Sequence, residues 1–164
     1  PLGLMGAFCV MNTFLHLPDT SAQVRALRHW REHLAPKGLL LIEVLHPDVT
    51  QLGALDGKLE WQQTWTDAAT GNTVMKFLTR VADLAEQTIH VNAVYDETDE
   101  SGCLRRTVAP FTLRYLWRFE AELLLDKAGF ALEALYGDWD LGPFTGESQR
   151  MILVARSAGE RPRP

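Results

Sequence analysis

Residues 34–47 read LAPKGLLLIEVLHP, a Pro-Lys-Gly break followed by seven residues, 39–45, that are apolar at every position but Glu43. A run apolar at successive rather than alternate positions suits a strand covered on both faces, as strands of parallel sheets are. What precedes the break is helical: Val24, Leu27, Trp30 and Leu34 recur at helical spacing, with Arg25, Arg28 and Glu32 between them. Gly38 is expected to supply the left-handed turn that helix ends favour. Further upstream, Pro18, Asp19, Thr20 and Ser21 crowd several helix-start signals together. Residues 7–11 (AFCVM) read as a short buried strand, with 12–17 as its exit loop. Strand, helix, strand in this order predicts a right-handed parallel crossover.

The pattern changes after Pro47. Residues 48–59 read as loop, and four extended stretches follow at 60–66, 73–82, 87–96 and 104–116. In the third, Ile89, Val91, Ala93 and Tyr95 alternate with polar residues, as in a strand with one wet face. Between it and the last lies ETDESGC, an acidic hairpin turn with Gly102 where a positive φ is needed. These stretches predict an antiparallel sheet inserted into an α/β framework. Residues 118–128 then read as a helix, with Phe119, Leu123, Leu124 and Ala128 on one face and Gly129 ending it. Strands at 130–136 and 151–156 close the chain around GDWDLGPFTGESQ, residues 137–149, a loop long enough to suggest function. The polar residues 157–164 are expected to be a disordered tail.

The totals narrow the function classes. The 164 residues suffice for one domain with a real core. A net charge of −5 with no Lys/Arg block argues against nucleic acid or anionic lipid as partner. No apolar run is long enough to span a bilayer, and the first residues lack the basic and apolar regions of a secretory signal. Two cysteines, Cys9 and Cys103, give neither a disulfide framework nor metal-ligand spacing, so no metal is expected and a cytoplasmic setting is.

Taken in order, three segments carry a family resemblance: FCVMNTFLHL (8–17), LRHWREHLAPKGLLLIEVLHP (27–47) and RYLWRFEAELLLDKAGFALEALYGDWDLGPFTGESQRMILVA (114–155). The entry L-x-P-x-G-x-L-L is matched by Leu34, Pro36, Gly38, Leu40 and Leu41. The ending L-L-x-x-A-G-F is matched by Leu124, Leu125, Ala128, Gly129 and Phe130. Over 7–156 the chain resembles the C-terminal half of a class I SAM-dependent methyltransferase. The resemblance implies a partial Rossmann-like sheet, a closing antiparallel strand pair and, at 59–116, an inserted antiparallel lid, all in one domain spanning 1–156. It departs from the family in two respects: no G-x-G-x-G, whose glycines would let backbone approach the cofactor, stands in the sequence, and residues 1–8 (PLGLMGAF) lack the Asp that the family usually carries a few residues before the polar loop. The implied domain is therefore N-terminally truncated, and the chain alone is expected to hold S-adenosyl-L-methionine (SAM) weakly or not at all.

The resemblance implies SAM as cofactor and methyl transfer to an N, O or C nucleophile of a small molecule (EC 2.1.1). Cys9, Met11, Asn12, Thr13 and His16 would lie along the cofactor, and His16 and His46 are the candidate catalytic groups. Glu43, Arg80, Arg114, Tyr115 and Trp139 would meet the substrate, with His90, Arg105 and Phe144 as lesser candidates. Each has a structural alternative. Asn12 and Thr13 would satisfy loop backbone and His16 would cap the next helix; Cys9 and Met11 would pack; Glu43 would pair with an arginine. His46 and the lid charges would then be ordinary surface groups, and Trp139 and Phe144 would pack against the lid. The rival function is a degenerate, non-catalytic module of the same origin that forms a homodimer through its antiparallel sheet or an exposed sheet edge. An unrelated α+β fold would instead place the closing strands in the same sheet as the lid.

Overall fold

The computed structural model describes residues 1–158. The chain forms two compact units, one made of Pro1–Pro47 with the chain from Arg114 onward, the other of Asp48–Leu113.

In the first unit, β1 (Leu4–Cys9) is followed by a 3-10 turn at Thr13–His16 and by α1 (Thr20–His33). Asp19 starts α1, its Oδ1 accepting from the Ala22 amide at 2.7 Å, so the cap expected of His16 belongs to Asp19. The strand β2 (Leu34–Leu45) pairs parallel with β1, Ala7 opposite Leu40 and Cys9 opposite Ile42. The crossover expected from the sequence is thus present. The helix break works differently from expectation. Lys37, not Gly38, takes the left-handed conformation, at φ 64°. Gly38 is needed because a Cβ there would lie 3.0 Å from the carbonyl oxygens of Ala35 and Leu4, a close approach that only glycine permits.

The helix α3 (Arg118–Ala128) ends at Gly129, whose φ of 85° is the left-handed stop the sequence announced. Its buried face is Ala121, Leu124, Leu125 and Ala128; Phe119 and Leu123, expected on that face, are 69% and 70% exposed. Spacings of three, one and three place the four small or apolar residues on one stripe, and Phe119 and Leu123 lie one residue off it. The strands β7 (Phe130–Tyr136) and β8 (Arg150–Ser157) complete a sheet of order β1-β2-β8-β7, in which β8 runs antiparallel to both neighbours. Ser157, expected in the tail, closes β8 and is buried. The tail from residue 159 lies outside the described residues.

Ile42 and Val44 of β2 and Leu153 of β8 share one face with Leu27 of α1 and with Ala121 and Leu124 of α3. Both helices therefore pack on one side of the sheet. On the other side Leu39, Leu41 and Leu45 are half-buried, and Phe8, paired with Leu41, is 77% exposed. The cover expected on both faces of 39–45 is complete on one. An exposed phenylalanine forgoes about 1.5–3 kcal/mol of burial.

The second unit opens with α2 (Val49–Gly53), a short helix in the stretch expected to be loop, started by Asp48, whose Oδ1 accepts from the Gln51 amide at 2.9 Å. Four strands follow, β3 (Glu60–Thr66), β4 (Thr73–Asp83), β5 (Thr88–Thr98) and β6 (Leu104–Arg114), in one sheet in that order. Its separation from the β1-β2-β8-β7 sheet rules out the α+β arrangement that would merge them. Ile89, Val91 and Ala93 are buried as their alternation predicts, but burial then shifts to Val94 and Asp96 rather than Tyr95.

One device turns all three hairpins. Asp67 Oδ1 accepts from the Ala69 and Thr70 amides, Asp83 Oδ1 from Ala85 and Glu86, and Asp99 Oδ1 from Ser101 and Cys103. Positive φ follows at Gly71, Gln87 and Gly102. Between β5 and β6, Arg106 grips Asp96 with two bonds of 2.7 Å. The Arg106 bonds hold the Asp96 carboxyl below its ordinary range; bonds from Thr70 do the same for Asp67, and from Ser101 for Asp99. A carboxyl lowered in the folded state contributes stability above its unfolded pKa, and that contribution is lost as pH falls through the lowered value. The thermal unfolding midpoint, followed by circular dichroism, should be level from about pH 7 to about pH 5 and fall below about pH 4. In Asp96→Asn that acid-side fall should be shallower.

Candidate functional site

The strand directions gather three features at one end of the first sheet. β1 ends at Cys9 and β2 at Leu45; β8 begins there, Arg150 opposite Leu45, and the end of β7 lies beside it, Tyr136 opposite Ile152. The turn at Met11–Asn12, the segment at His46 and the loop 137–149 thus share the carboxyl rim of the parallel strands, where open α/β sheets bind ligands.

The turn is strained and held. Met11 and Asn12 both adopt left-handed backbone, at φ 58° and 60°. That conformation costs a non-glycine residue about 1–2 kcal/mol, less for Asn. Two side chains hold it in place. Glu43 Oε2 accepts from the Met11 amide at 2.6 Å, and Asn12 Oδ1 accepts from the Leu45 amide at 2.6 Å. These bonds extend the rungs between β1 and β2 past the end of backbone pairing. Glu43, 6% exposed, also meets Arg150 Nη1 at 3.4 Å, so its carboxylate is engaged on both oxygens. Arg150 drew no notice in the sequence, since only the fold brings it opposite β2. Thr13 stays exposed, its hydroxyl donating to the Val10 carbonyl at 2.7 Å. Cys9 is buried, and burial is the main cause that pushes its thiol up. Met11 and His16 present exposed side chains on the rim.

His46 is held more specifically than a surface histidine. Its amide donates to the Gln149 carbonyl at 3.0 Å, and its Nδ1 lies 2.7 Å from the Ser148 carbonyl. A carbonyl only accepts, so Nδ1 carries hydrogen and the neutral ring leaves its lone pair on Nε2. Phe144 packs edge-on against the imidazole at 4.7 Å, with the Arg118 guanidinium 6.0 Å from the Phe144 ring centre. The same loop walls an open cavity of about 420 Å³, lined by Asp138, Thr145, Glu147, Ser148, Gln149 and Arg150 among others. Asp138 shapes the loop, its Oδ1 accepting from the Asp140 and Gly142 amides at 2.9 Å each, while Trp139 is 51% exposed.

The remaining candidates sit elsewhere. Arg114 Nη1 donates to Gln23 Oε1 at 3.2 Å and its Nη2 to Glu120 Oε1 at 2.8 Å, joining the first turns of α1 and α3. Tyr115 is 1% exposed and packs edge-on to Trp117. Gln23, fully buried, was not singled out in the sequence; a lone glutamine between Ala22 and Val24 gives no signal. Arg80 belongs to the second unit, where it pairs with Glu60, and His90 there meets Thr112 at 3.2 Å.

If the clamp sets the rim, Asn12→Gly should be tolerated better than Asn12→Val. Both lose the acceptor for Leu45, but valine adds left-handed strain. Urea unfolding should show Asn12→Val less stable than Asn12→Gly by about 1–2 kcal/mol, and equal stabilities would contradict the left-handed backbone at Asn12.

No protein-family model matches the chain, and no curated protein matches it. Solved structures do. The CcbJ methyltransferase from Streptomyces caelestis superposes with a TM-score of 0.69 at 23% identity, over 94% of this chain and 57% of its own. An S-adenosylmethionine-dependent methyltransferase from Clostridium acetobutylicum gives 0.75 at 10% identity, over 95% and 59%. The SAM-bound CalS10, an amino pentose methyltransferase from Micromonospora echinaspora, gives 0.70 at 18% identity, over 96% and 59%. The chain therefore spans less than three fifths of the length of each. Over the residues it spans, its β1-β2-β8-β7 sheet with the antiparallel β8 and its inserted antiparallel strands have the fold of the class I SAM-dependent methyltransferases.

Proposed function

We propose that this chain contributes the β1–β2 rim of a SAM-dependent methyltransferase site that acts on a small molecule carrying an N, O or C nucleophile. The observation that supports the reading most is the strained Met11–Asn12 turn at the carboxyl end of a parallel strand, held by Glu43 and Asn12 beside a tautomer-fixed His46. Strain kept in place by neighbouring groups is a feature of ligand-binding turns.

The rim fits one end of SAM better than the other. Its polar turn suits the amino-acid end, along Met11, Asn12, Thr13 and His16. Glu43 is committed to Met11 and Arg150, so its carboxylate does not accept from the ribose hydroxyls. SAM supplies a methyl group already activated on a sulfonium. What this chain adds is alignment and, for a protonated nucleophile, a base: His46 Nε2 takes the acceptor's proton while Ser148 holds Nδ1. The cavity beside loop 137–149 offers carboxylates, hydroxyls and an amide, a lining suited to a polar acceptor. That chemistry is compatible with an amino sugar, the substrate class named for the Micromonospora protein. The free cysteines Cys9 and Cys103 fit a reducing, cytoplasmic setting. Among the described residues no helix is long and apolar enough to cross a membrane.

Titration of the isotopically labelled chain with S-adenosylhomocysteine, followed by NMR, tests the reading. Fast-exchange shifts should concentrate at Met11, Asn12, Thr13, His16 and His46, with the His46 ring bearing its hydrogen on Nδ1. An absence of shifts at these residues, or His46 protonated on Nε2 alone, would overturn it.

A further inference from the structure

The loop at 137–149 closes on one side chain. Ser148 Oγ accepts from the Thr145 amide at 2.9 Å, and the Ser148 amide donates to the Thr145 carbonyl at 3.2 Å. These two bonds tie TGES, residues 145–148, into a ring, within which Thr145 Oγ1 accepts from the Glu147 amide at 3.3 Å. The same hydroxyl fills the space over Gly137, at the other end of the loop. A Cβ at 137 would overlap Ser148 Oγ and lie 3.1 Å from the Pro143 carbonyl oxygen, so glycine there leaves room for the hydroxyl. The Gly137 amide in turn donates to the Gly142 carbonyl at 2.9 Å. One serine side chain thus joins the two ends of the loop.

The residue so held is the one whose carbonyl meets His46. Nδ1 lies 2.7 Å from the Ser148 carbonyl, and the His46 amide donates to the next carbonyl, that of Gln149, at 3.0 Å. The direction of the Ser148 carbonyl follows from the plane of the 148–149 peptide, and the bonds to Thr145 fix the backbone that enters that plane. Direction decides the chemistry of the ring. A neutral imidazole free in water carries its hydrogen mainly on Nε2, the atom whose lone pair a base must keep. A carbonyl facing Nδ1 reverses that preference only while it stays in line. Phe144, edge-on to the ring at 4.7 Å, restricts its rotation but offers no acceptor, so it does not choose between the nitrogens.

We propose that the Ser148 hydroxyl is a positioning group for His46: by holding the Thr145 amide over Gly137 it aims its own carbonyl at Nδ1 and keeps the lone pair on Nε2. The proposal rests on His46 as the base of the methyl-transfer site. The ring tautomer reports on Ser148 whether or not a methyl group is transferred.

Long-range nitrogen–proton NMR spectra of the full chain with isotopically labelled histidine test it, recorded above the ordinary histidine pKa so that the ring is neutral. The unaltered chain should carry the His46 hydrogen on Nδ1. Ser148→Ala, and independently Gly137→Ala, which evicts the hydroxyl without touching Ser148, should each lower the ratio of Nδ1–H to Nε2–H about five- to tenfold, the scale of one hydrogen bond. Asp140→Ala, at an exposed position of the same loop, should leave the ratio unchanged. Far-UV circular dichroism of every variant should match the parent. Hydrogen kept on Nδ1 in both Ser148→Ala and Gly137→Ala would overturn the role of Ser148 and leave His46 as the base. Hydrogen on Nε2 in the unaltered chain would overturn both. A fold lost in both variants would mark Ser148 as a purely structural residue and overturn the proposal.

Discussion

The candidate site rests on a carboxylate buried in the middle of an apolar strand. Glu43 lies within LLLIEVL, where an unpaired charge would be too costly to keep. It is kept because the Met11 amide and Arg150 meet it from two sides, one from the turn after β1 and one from the start of β8. Three strands that are distant in sequence are thereby joined at one end of the sheet. The strained backbone at Met11 and Asn12 follows from this arrangement, since the amide reaches the carboxylate only from that turn. Asn12 then closes the second bond, to Leu45, and the chain leaves β2 directly into His46. Removing Glu43 would free the turn, and with it the position of every rim group around it.

The parts of the fold governed by local chemistry were legible in the sequence. The end of α3 was marked by Gly129 and the β5–β6 hairpin by Gly102. Positions that depend on long-range contact were not. Gly38 looked like a helix stop, but its role is to let the Leu4 and Ala35 carbonyls approach. Phe119 and Leu123 suggested a buried helical face, yet the stripe that meets α1 and the sheet is made of Ala121, Leu124, Leu125 and Ala128. The left-handed pair Met11–Asn12 carries no glycine to announce it, because its stabilisation comes from residues more than thirty positions away.

The site shows the same division. Asn12 and His46 were recognisable from their place after apolar strands, and Glu43 as a carboxylate in need of a partner. That the partner is Arg150, and that Ser148 fixes the His46 tautomer, depends on β8 returning antiparallel beside β2. The resemblance to methyltransferases and the match to longer solved structures agree on this arrangement of strands. The second unit is organised by other means: aspartates at 67, 83 and 99 each turn a hairpin by accepting from the amides that follow them.

The central claim is that side chains, not backbone, lock the rim between β1 and β2. Amide hydrogen exchange of Met11 and Leu45 tests it most directly, since each donates to a side chain, Glu43 and Asn12 respectively. Both amides should exchange as slowly as the paired amides of β2, with Glu43→Leu releasing Met11 and Asn12→Ala releasing Leu45. Exchange of both at open-loop rates in the unaltered chain would contradict the account.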